Sequence, residues 1–298
     1  MEKLYSPATV RKLSEQYKFR LSKSLGQNFL TDGNIVDRII EGAEISKNDL
    51  VIEVGPGIGV LTHAAALRAA GVVGIELDRN LMPILRETLA EHDNVTILNE
   101  DFMKADLFSI IEAEKLRVPG VIDKVKLIAN LPYYITTPII MKILEEKVEG
   151  PPLFESLTVM MQKEVADRIK ARPGTKEYGA LTVAVNYYCT VEQIAAVPKE
   201  VFVPKPKVDS TVLRLHVRKD PPIQVKSEEA LFAVIKAGFG QRRKTLGNSL
   251  TGTLGISKEQ SLLALAEAGI DPVRRAETLD LNEFGALADE VVLAALGS

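Results

Sequence analysis

The stretch Glu53-Val54-Gly55-Pro56-Gly57-Ile58-Gly59 joins the end of an apolar run to three closely spaced glycines. The run before it, residues 50–52, is short and branched, as in a strand buried on both faces. A segment with helical periodicity, residues 61–70, follows it. Glycine lets a backbone approach a ligand at a point where a Cβ would collide. The stretch therefore predicts a strand, a tight turn and a helix, with a ligand site at the turn.

The same alternation continues along the first half of the chain. Apolar runs that predict strands lie at 50–52, 72–75, 95–98, 125–129 and 157–161, and helix-period segments lie at 61–70, 81–90, 107–114 and 138–147. Repeated strand–helix units predict an α/β fold with a doubly wound, mostly parallel sheet, whose ligand crevice lies at the carboxyl ends of the strands. Residues 191–197 and 211–217 have no full helix between them, which predicts an antiparallel pair that completes the sheet.

The pattern changes after Asp220-Pro221-Pro222. Ser227-Glu228-Glu229 predicts the start of a helix, and both Ser257-Lys258-Glu259-Gln260 and Asp280-Leu281-Asn282-Glu283 resemble capping boxes before further helices. We therefore predict two domains, an α/β domain over residues 1–220 and a smaller, all-helical domain over residues 221–298.

Length and composition are those of a folded, globular enzyme, with 298 residues of which 46% are apolar. The amino terminus lacks the apolar core of a secretory signal, and no uncharged apolar stretch approaches the roughly 18 residues of a membrane-spanning helix. The single cysteine, Cys189, fits a reducing compartment. We expect a cytoplasmic protein with no membrane association.

The net charge of −3 hides a local asymmetry. Residues 199–247 contain eleven Lys or Arg against five Asp or Glu, and four of the cations, Lys236, Arg242, Arg243 and Lys244, lie at the end of a predicted helix. A basic band on an acidic body is typical of a protein that meets phosphate with one face. An ordinary solvated surface would give the same count.

Two acidic residues close the strands next to the glycine turn. Glu76 ends the second predicted strand, about twenty residues after Gly55, where a carboxylate accepts ribose hydroxyls in nucleoside sites. Asp101 follows the third strand and would lie near the adenine end of the same ligand; its alternative role is to cap the next helix. The spacing G-x-G-x-G differs from the G-x-G-x-x-G of dinucleotide folds and disfavours a nicotinamide cofactor.

A second motif, Asn130-Leu131-Pro132-Tyr133-Tyr134, follows the strand at 125–129 and should reach the same edge of the sheet. The Asn130 side-chain oxygen and the Leu131 carbonyl oxygen are suited to accept both hydrogens of an adenine amino group, which directs its lone pair at a methyl donor. Pro132 fixes the turn, and Tyr133 offers a stacking surface worth roughly 1–3 kcal/mol.

Together the two motifs favour methyl transfer from S-adenosylmethionine to adenine. The sulfonium leaves as a neutral thioether, so the reaction needs no metal and no acid for the leaving group. We accordingly predict no metal site, and the histidines His63, His92 and His216 need no catalytic role.

At these residues the chain resembles the bacterial small-subunit rRNA adenine N6,N6-dimethyltransferases, the kasugamycin-sensitivity methyltransferases, from about residue 24 to residue 279. Five stretches show the resemblance: Leu25-Gly26-Gln27-Asn28-Phe29-Leu30, the glycine turn, Gly74-Ile75-Glu76-Leu77-Asp78, Asn130 to Tyr134, and Phe202-Val203-Pro204-Lys205-Pro206-Lys207-Val208-Asp209-Ser210. The resemblance implies a Rossmann-like class I methyltransferase sheet and S-adenosylmethionine as the cofactor.

The resemblance also implies roles for individual residues. The cofactor-binding set is Asn28, Leu30, Gly55, Gly57, Glu76, Asp101 and Asn130; the catalytic set is Asn130, Leu131, Pro132, Tyr133 and Phe202, with Phe202 stacking on the base opposite Tyr133; and the RNA-binding set is Lys236, Arg242, Arg243 and Lys244. The implied partner is 16S rRNA in an immature small ribosomal subunit, and the implied reaction dimethylates two adjacent adenines in a hairpin near its 3′ end. We expect the free protein to be a monomer.

Three alternatives remain at this point. An antibiotic-resistance enzyme that methylates an adenine of large-subunit rRNA would share both motifs, although the stretches at 238–246 and 275–279 favour the small-subunit family. An assembly factor could act mainly by binding RNA, with catalysis dispensable. A dehydrogenase is disfavoured by the glycine spacing.

Overall fold

The computed structural model describes residues 4–19, 26–146, 152–241 and 243–296. Its strands are β1 (Phe29–Leu30), β2 (Asp49–Val54), β3 (Gly71–Glu76), β4 (Val95–Asn99), β5 (Lys124–Asn130), β6 (Ser156–Gln162), β7 (Cys189–Val197), β8 (Phe202–Val203) and β9 (Ser210–Val217). Its α-helices are α1 (Pro7–Gln16), α2 (Gly33–Gly42), α3 (Val60–Ala66), α4 (Met82–Thr88), α5 (Leu107–Arg117), α6 (Thr136–Glu145), α7 (Lys163–Ile169), α8 (Ala180–Tyr188), α9 (Glu228–Gly240), α10 (Leu246–Ser249), α11 (Lys258–Glu267) and α12 (Leu281–Leu296).

A seven-stranded sheet in the order β4-β3-β2-β5-β6-β9-β7 confirms the predicted α/β architecture. The five strands from β4 to β6 pair in parallel, while β9 runs antiparallel to β6. Strands β7 and β9 are neighbours at one edge, as the sequence pattern predicts. In this order β2 lies between β3 and β5, so the segments that leave these three strands emerge side by side at their carboxyl ends.

Strands β2 and β3 are buried along their whole length, which explains the branched apolar residues at their centres. One lysine interrupts the pattern of β5. The Lys126 side chain is 4% exposed, and its Nζ lies 2.9 Å from a carboxylate oxygen of Asp49 and 2.5 Å from the carbonyl oxygen of Glu44. The buried cation is thus paired at the end of the sheet opposite to the glycine turn, consistent with the cost of burying a lone charge.

The chain divides into two compact units. The first contains residues 1–166 and 191–219, and the second contains residues 167–190 and 220–298. The end of the first unit at 219 agrees with the change in pattern at Asp220. Residues 167–190 belong to the second unit, whereas the predicted division assigned them to the α/β domain. Its helix α8 buries Val183 and Tyr187 in the same apolar cluster as Leu231 and Val234 of α9.

Local hydrogen bonds define the helix starts of the second unit. Ser257 and Gln260 form a reciprocal capping box at α11. The backbone nitrogen of Asp280 donates to Glu283, and the nitrogen of Glu283 donates back to Asp280, each over 2.9 Å. Ser227 accepts from the nitrogen of Ala230 at the start of α9. All three predicted helix starts are therefore confirmed. Of the helices in the described ranges, none combines the length and the apolar character needed to cross a membrane.

Candidate active site

A cleft of about 1090 Å³, including its open mouth, lies at the carboxyl ends of β2, β3, β4 and β5 in the first unit. Residues from every predicted cofactor motif line it. The lining includes the whole predicted cofactor set, Asn28, Leu30, Gly55, Gly57, Glu76, Asp101 and Asn130, together with Leu131, Pro132 and Tyr133 of the predicted catalytic set. Segments separated by more than a hundred residues in sequence thus meet around one cavity.

The glycine turn after β2 has the left-handed backbone that glycine favours. Gly55, Gly57 and Gly59 have φ of +67°, +64° and +88°. A Cβ built on Gly55 would meet no atom within 4 Å, so it would occupy space that the cleft leaves open. A Cβ on Gly57 would lie 3.0 Å from the ring of Phe29. The first glycine keeps room for a ligand, and the second lets the turn pack against β1.

Glu76, at the end of β3, is held by two backbone nitrogens. Gly57 N donates to one carboxylate oxygen over 3.0 Å and Asp78 N donates to the other over 2.8 Å. The residue is 5% exposed, and this burial raises the pKa of Glu76, while the two donated hydrogen bonds oppose the rise. Glu76 therefore joins the glycine turn to the adjacent strand and presents its carboxylate to the cleft.

Asp101 lies in the turn after β4, with one carboxylate oxygen 3.0 Å from the backbone nitrogen of Met103. The following helix, α5, takes its amino-terminal cap from Asp106 instead, which accepts from the nitrogen of Ser109. The alternative in which Asp101 caps the next helix is therefore wrong. Asp101 shapes a local turn and also lines the cleft.

Residues 26–30, which we call the N-terminal strap, form part of the cleft wall. Gln27 Nε2 donates to Asp78 Oδ2 over 2.8 Å, and Asn28 Nδ2 donates to the carbonyl oxygen of Gly26 over 3.0 Å. Asn130 Nδ2 donates to the carbonyl oxygen of Asn28 over 3.0 Å. The strap is thus tied to the segment after β3 on one side and to the loop after β5 on the other. Motif reading did not identify the link between Gln27 and Asp78, because nothing local relates residues 51 positions apart.

The loop after β5 orients the Asn130 side chain. Its amide nitrogen is engaged by Asn28, and among the described residues none donates a hydrogen bond to its Oδ1. Leu131 N donates to the carbonyl oxygen of Met160 over 3.1 Å, which anchors the next residue to β6. The carbonyl oxygen of Pro132 accepts from Ile135 N and from Thr136 Oγ1, so a turn leads directly into α6. This geometry leaves a side-chain acceptor at the cleft.

Tyr133 is half-buried, and its hydroxyl lies 3.0 Å from Ser210 Oγ at the start of β9. Burial raises the pKa of Tyr133, although the contact with Ser210 opposes the rise, so the phenol is neutral at neutral pH. Tyr134 is 58% exposed at the cleft. The stretch from Phe202 to Ser210 thus contributes Ser210 to the site through this contact.

Phe202 differs from the expectation. Its side chain is 3% exposed, it belongs to the core of the first unit, and it is not among the cleft-lining residues. Strand β8 pairs with β1 so that Phe202 lies opposite Leu30. Burial of an aromatic ring in an apolar core is favourable. The structure therefore places the Phe202 ring in the core of the first unit and not among the residues that line the cleft.

The predicted RNA-binding cations lie in the second unit. Lys236, on α9, is exposed, as are Arg243 and Lys244 in the turn before α10; Arg242 lies outside the described residues. Within the described part of the chain, none of these three cations is paired with a carboxylate. Arg274, in contrast, makes a bidentate contact with Glu283, at 2.5 and 3.1 Å.

Comparison with models of protein families identifies the family of this chain. The model of a family described as "Ribosomal RNA adenine dimethylase" matches residues 18–291. The chain belongs to this family.

Close relatives span nearly the whole chain. A protein of Alkaliphilus metalliredigens named "Ribosomal RNA small subunit methyltransferase A" is 51% identical over 292 residues, covering 98% of this chain and 99% of its own. A protein of the same name from Clostridioides difficile is 50% identical over 289 residues, covering 97% of both.

Solved structures of related enzymes share the fold. A dimethyladenosine transferase from Plasmodium falciparum has a TM-score of 0.70 at 26% identity and covers 87% of this chain and 95% of its own. The 23S rRNA methyltransferase ErmE has a TM-score of 0.63 at 28% identity, with coverage of 89% and 100%.

Family membership makes the chain an rRNA adenine methyltransferase with a class I methyltransferase fold, as predicted. It points to a methyl donor of the S-adenosylmethionine type. A dehydrogenase is excluded.

Proposed function

We propose that this family member transfers methyl groups from S-adenosylmethionine to N6 of two adjacent adenines in a hairpin near the 3′ end of 16S rRNA, during assembly of the small ribosomal subunit. Two observations support this proposal. Relatives named for the small subunit are about 50% identical over nearly their full length. The loop after β5, which is predicted to hold the target base, opens on the predicted cofactor cleft. The observation that carries the proposal is the hydrogen bond between Asn130 and the strap, which ties these two parts together.

The cleft fits a nucleoside cofactor. Gly55 leaves space where a side chain would stand, Glu76 presents a carboxylate suited to ribose hydroxyls, and Asp101 lies on the next strand end, suited to an amino group. When bound there, S-adenosylmethionine supplies a methyl group on a sulfonium. Since Glu76 is already held by the nitrogens of Gly57 and Asp78, its carboxylate needs little reorganisation to accept a ligand.

Asn130 and Leu131 would act on the target base. With its nitrogen engaged by Asn28, the Asn130 amide directs its oxygen away from the strap and accepts one hydrogen of the adenine amino group. The Leu131 carbonyl oxygen accepts the other. Two such acceptors stabilise positive charge that develops on the nitrogen as it attacks, without a strong base. Positioning of the two reacting atoms supplies the rest of the acceleration.

Tyr133 supplies the aromatic surface for the flipped base. Its contact with Ser210 fixes the ring at the cleft, and base stacking on an aromatic ring contributes about 1–3 kcal/mol. This offsets much of the few kcal/mol that unstacking a nucleotide costs. A stacking role for Phe202 requires its ring to leave the core, so Tyr133 is the platform that this conformation offers.

The exposed cations Lys236, Arg243 and Lys244, with Arg242, are proposed to contact phosphates of the rRNA. Phosphate contacts by Lys and Arg position a protein on nucleic acid and make binding dependent on salt. They carry no sequence information by themselves, so the choice of adenine falls to the cleft and to the shape of the hairpin.

Mass spectrometry of rRNA tests the proposal. Small subunits that lack the modification are incubated with the protein and labelled S-adenosylmethionine, with large subunits and fully modified small subunits as controls. Four methyl groups on two adjacent adenines of 16S rRNA are expected, with no label in either control. Label confined to 23S rRNA would instead identify the large-subunit activity, for which the likeness to ErmE is the specific precedent.

An inactive variant distinguishes a cellular role that depends mainly on RNA binding from one that depends on methylation. If an Asn130→Ala protein that does not methylate still binds immature small subunits and restores their assembly in cells lacking the enzyme, binding is the main role. Failure to restore assembly assigns the role to methylation.

A further inference from the structure

A cluster of metal-ligating side chains lies outside the cleft. His63 is in the last turn of α3, and Glu91 and His92 follow α4. His63 Nδ1 is 2.8 Å from His92 Nε2 and 3.8 Å from a carboxylate oxygen of Glu91. All three ligand atoms lie within 4.8 Å of one another, and none of the three residues lines the cleft.

Contrary to the expectation of no metal site, we propose that His63, Glu91 and His92 form a binding site for a divalent transition-metal ion of the zinc type. Two imidazoles and a carboxylate are ligands that Zn²⁺ accepts, at about 2.0–2.2 Å each. In a tetrahedron such bonds separate neighbouring ligand atoms by roughly 3.3 Å. Two of the observed separations, 2.8 and 3.8 Å, lie on either side of this value, and all three ligand atoms lie within 4.8 Å of one another, so side-chain rotations would bring the three atoms to the distances that the ion needs. Water completes the fourth position.

The contact between the two imidazoles indicates which tautomers a bound ion would require. Two ring nitrogens 2.8 Å apart share a hydrogen bond, so one carries a proton and the other a lone pair. To bind the ion, the donating ring adopts its other neutral tautomer, with the proton on the nitrogen that faces away from the cluster, and both facing nitrogens then offer lone pairs to the ion.

The position of the cluster gives the ion a structural consequence. Helix α3 begins directly after the glycine turn, and a Cβ on Gly59 would lie 3.1 Å from the side chain of Leu89 at the end of α4. An ion held by His63, Glu91 and His92 would therefore connect the helix after the glycine turn to the segment after α4. A ligand that binds only the folded chain stabilises it.

Calorimetric titration of the untagged, chelator-treated full chain with ZnCl2 tests the proposal. One equivalent of Zn²⁺ is expected to bind saturably, with affinity at least tenfold lower in His63→Gln and in His92→Gln and lost in the double variant. The matched control is His216→Gln, which removes the third histidine, located 3.5 Å from Glu192 in another part of the same unit. Its titration should be unchanged.

Thermal unfolding supplies a second readout. Zn²⁺ should raise the melting temperature of the wild type and of His216→Gln by several degrees and leave the double variant unchanged. Should a histidine variant fail to fold, Glu91→Gln keeps both imidazoles and changes a side chain that is 48% exposed, and it should weaken binding as well. Absence of saturable binding in the wild type, or binding by the double variant equal to wild type, would overturn the proposal.

Discussion

The side-chain nitrogen of Asn130 donates a hydrogen bond to the backbone carbonyl oxygen of Asn28, 3.0 Å away and 102 positions earlier in the chain. The contact orients the residue proposed to hold the target amine, and it does so through the strap that lines the cofactor cleft. An amide has one donor end and one acceptor end, so engaging the nitrogen selects the direction in which the oxygen points. One side chain therefore connects the proposed site of the methyl donor to the proposed site of the target amine.

Asn130→Ala should abolish methyl transfer while changing cofactor affinity by less than about tenfold. The alanine lacks the acceptor for the amine, but only one neutral hydrogen bond to the strap is lost, worth about 0.5–1.5 kcal/mol. Transfer is measured with labelled cofactor and unmodified small subunits, and affinity is measured by calorimetry. Activity near the wild-type level would remove Asn130 from the catalytic set.

Glu76→Ala should show the opposite pattern, with cofactor affinity reduced more than tenfold. The variant lacks the proposed acceptor for the ribose and also leaves the nitrogens of Gly57 and Asp78 without their partner. Glu76→Gln, which keeps one acceptor oxygen, should fall between the alanine variant and the wild type. Equal losses of cofactor binding in Glu76→Ala and Asn130→Ala would contradict this division of roles.

Gln27→Ala and Asp78→Ala should each weaken cofactor binding by roughly three- to tenfold, and the double variant should be no weaker than the worse of the two. Both remove the same 2.8 Å hydrogen bond that closes the strap, so their effects are coupled. Asp78→Asn is a milder control, since it keeps an oxygen for the backbone nitrogen of Asn80. Additive losses in the double variant would show that the two residues act separately.

Glu53→Gln should make the folded chain less sensitive to rising pH. Burial raises the pKa of Glu53 from its ordinary 4.5 to about 8; the hydroxyl of Thr62, 2.5 Å away, opposes the rise, and nearby Glu76 adds to it. Because the folded state keeps a proton that the unfolded state has released between these values, the free energy of unfolding falls as pH rises through this window. The loss approaches about 1.4 kcal/mol per pH unit for this one group.

Glutamine cannot ionise, so denaturant unfolding at about pH 5, 6.5 and 8 should show the variant gaining on the wild type at each step. Glu112→Gln alters a half-exposed residue and should follow the wild-type curve. A constant difference between Glu53→Gln and wild type across the three pH values would rule out an elevated pKa.

Charge reversal at Arg242, Arg243 and Lys244 should lower rRNA affinity and flatten its dependence on salt. Each lost phosphate contact reduces the slope of log affinity against log salt by about 0.7–0.9. The measurement is a filter-binding titration at several salt concentrations. Lys115→Glu, at a lysine that already pairs with Glu112 over 2.9 Å, is the matched control. An unchanged slope in the triple variant would assign these cations to solvent.

Features encoded by neighbouring residues could be predicted from the sequence. The glycine turn after β2, the capping boxes at Ser257 and Asp280, and the parallel strand–helix repeat follow from local spacing and periodicity. Ligands of such sheets bind at the carboxyl ends of the strands, and parallel strands end at the same edge of a sheet. The sequence therefore correctly predicted that Glu76 and Asn130 line one cleft.

Contacts between distant segments could not be predicted in this way. No spacing rule relates Gln27 to Asp78 or His63 to His92, and the apolar run at 125–129 gave no sign that Lys126 has a buried partner in Asp49. Phe202 was expected at the cleft on the basis of resemblance alone. Its pairing opposite Leu30 depends on a strand contact between residues 172 positions apart, which only the folded chain shows.

The second unit is assembled from two stretches that are not contiguous in the chain, residues 167–190 and 220–298. A truncation at residue 220 would therefore remove the partners of α8 and leave Val183 and Tyr187, both buried in the intact chain, facing water. During synthesis α8 emerges from the ribosome before its partners, and its apolar side chains stay uncovered until α9 to α12 have followed. A protein that modifies ribosomal RNA thus cannot finish its own helical unit until a ribosome has released α12.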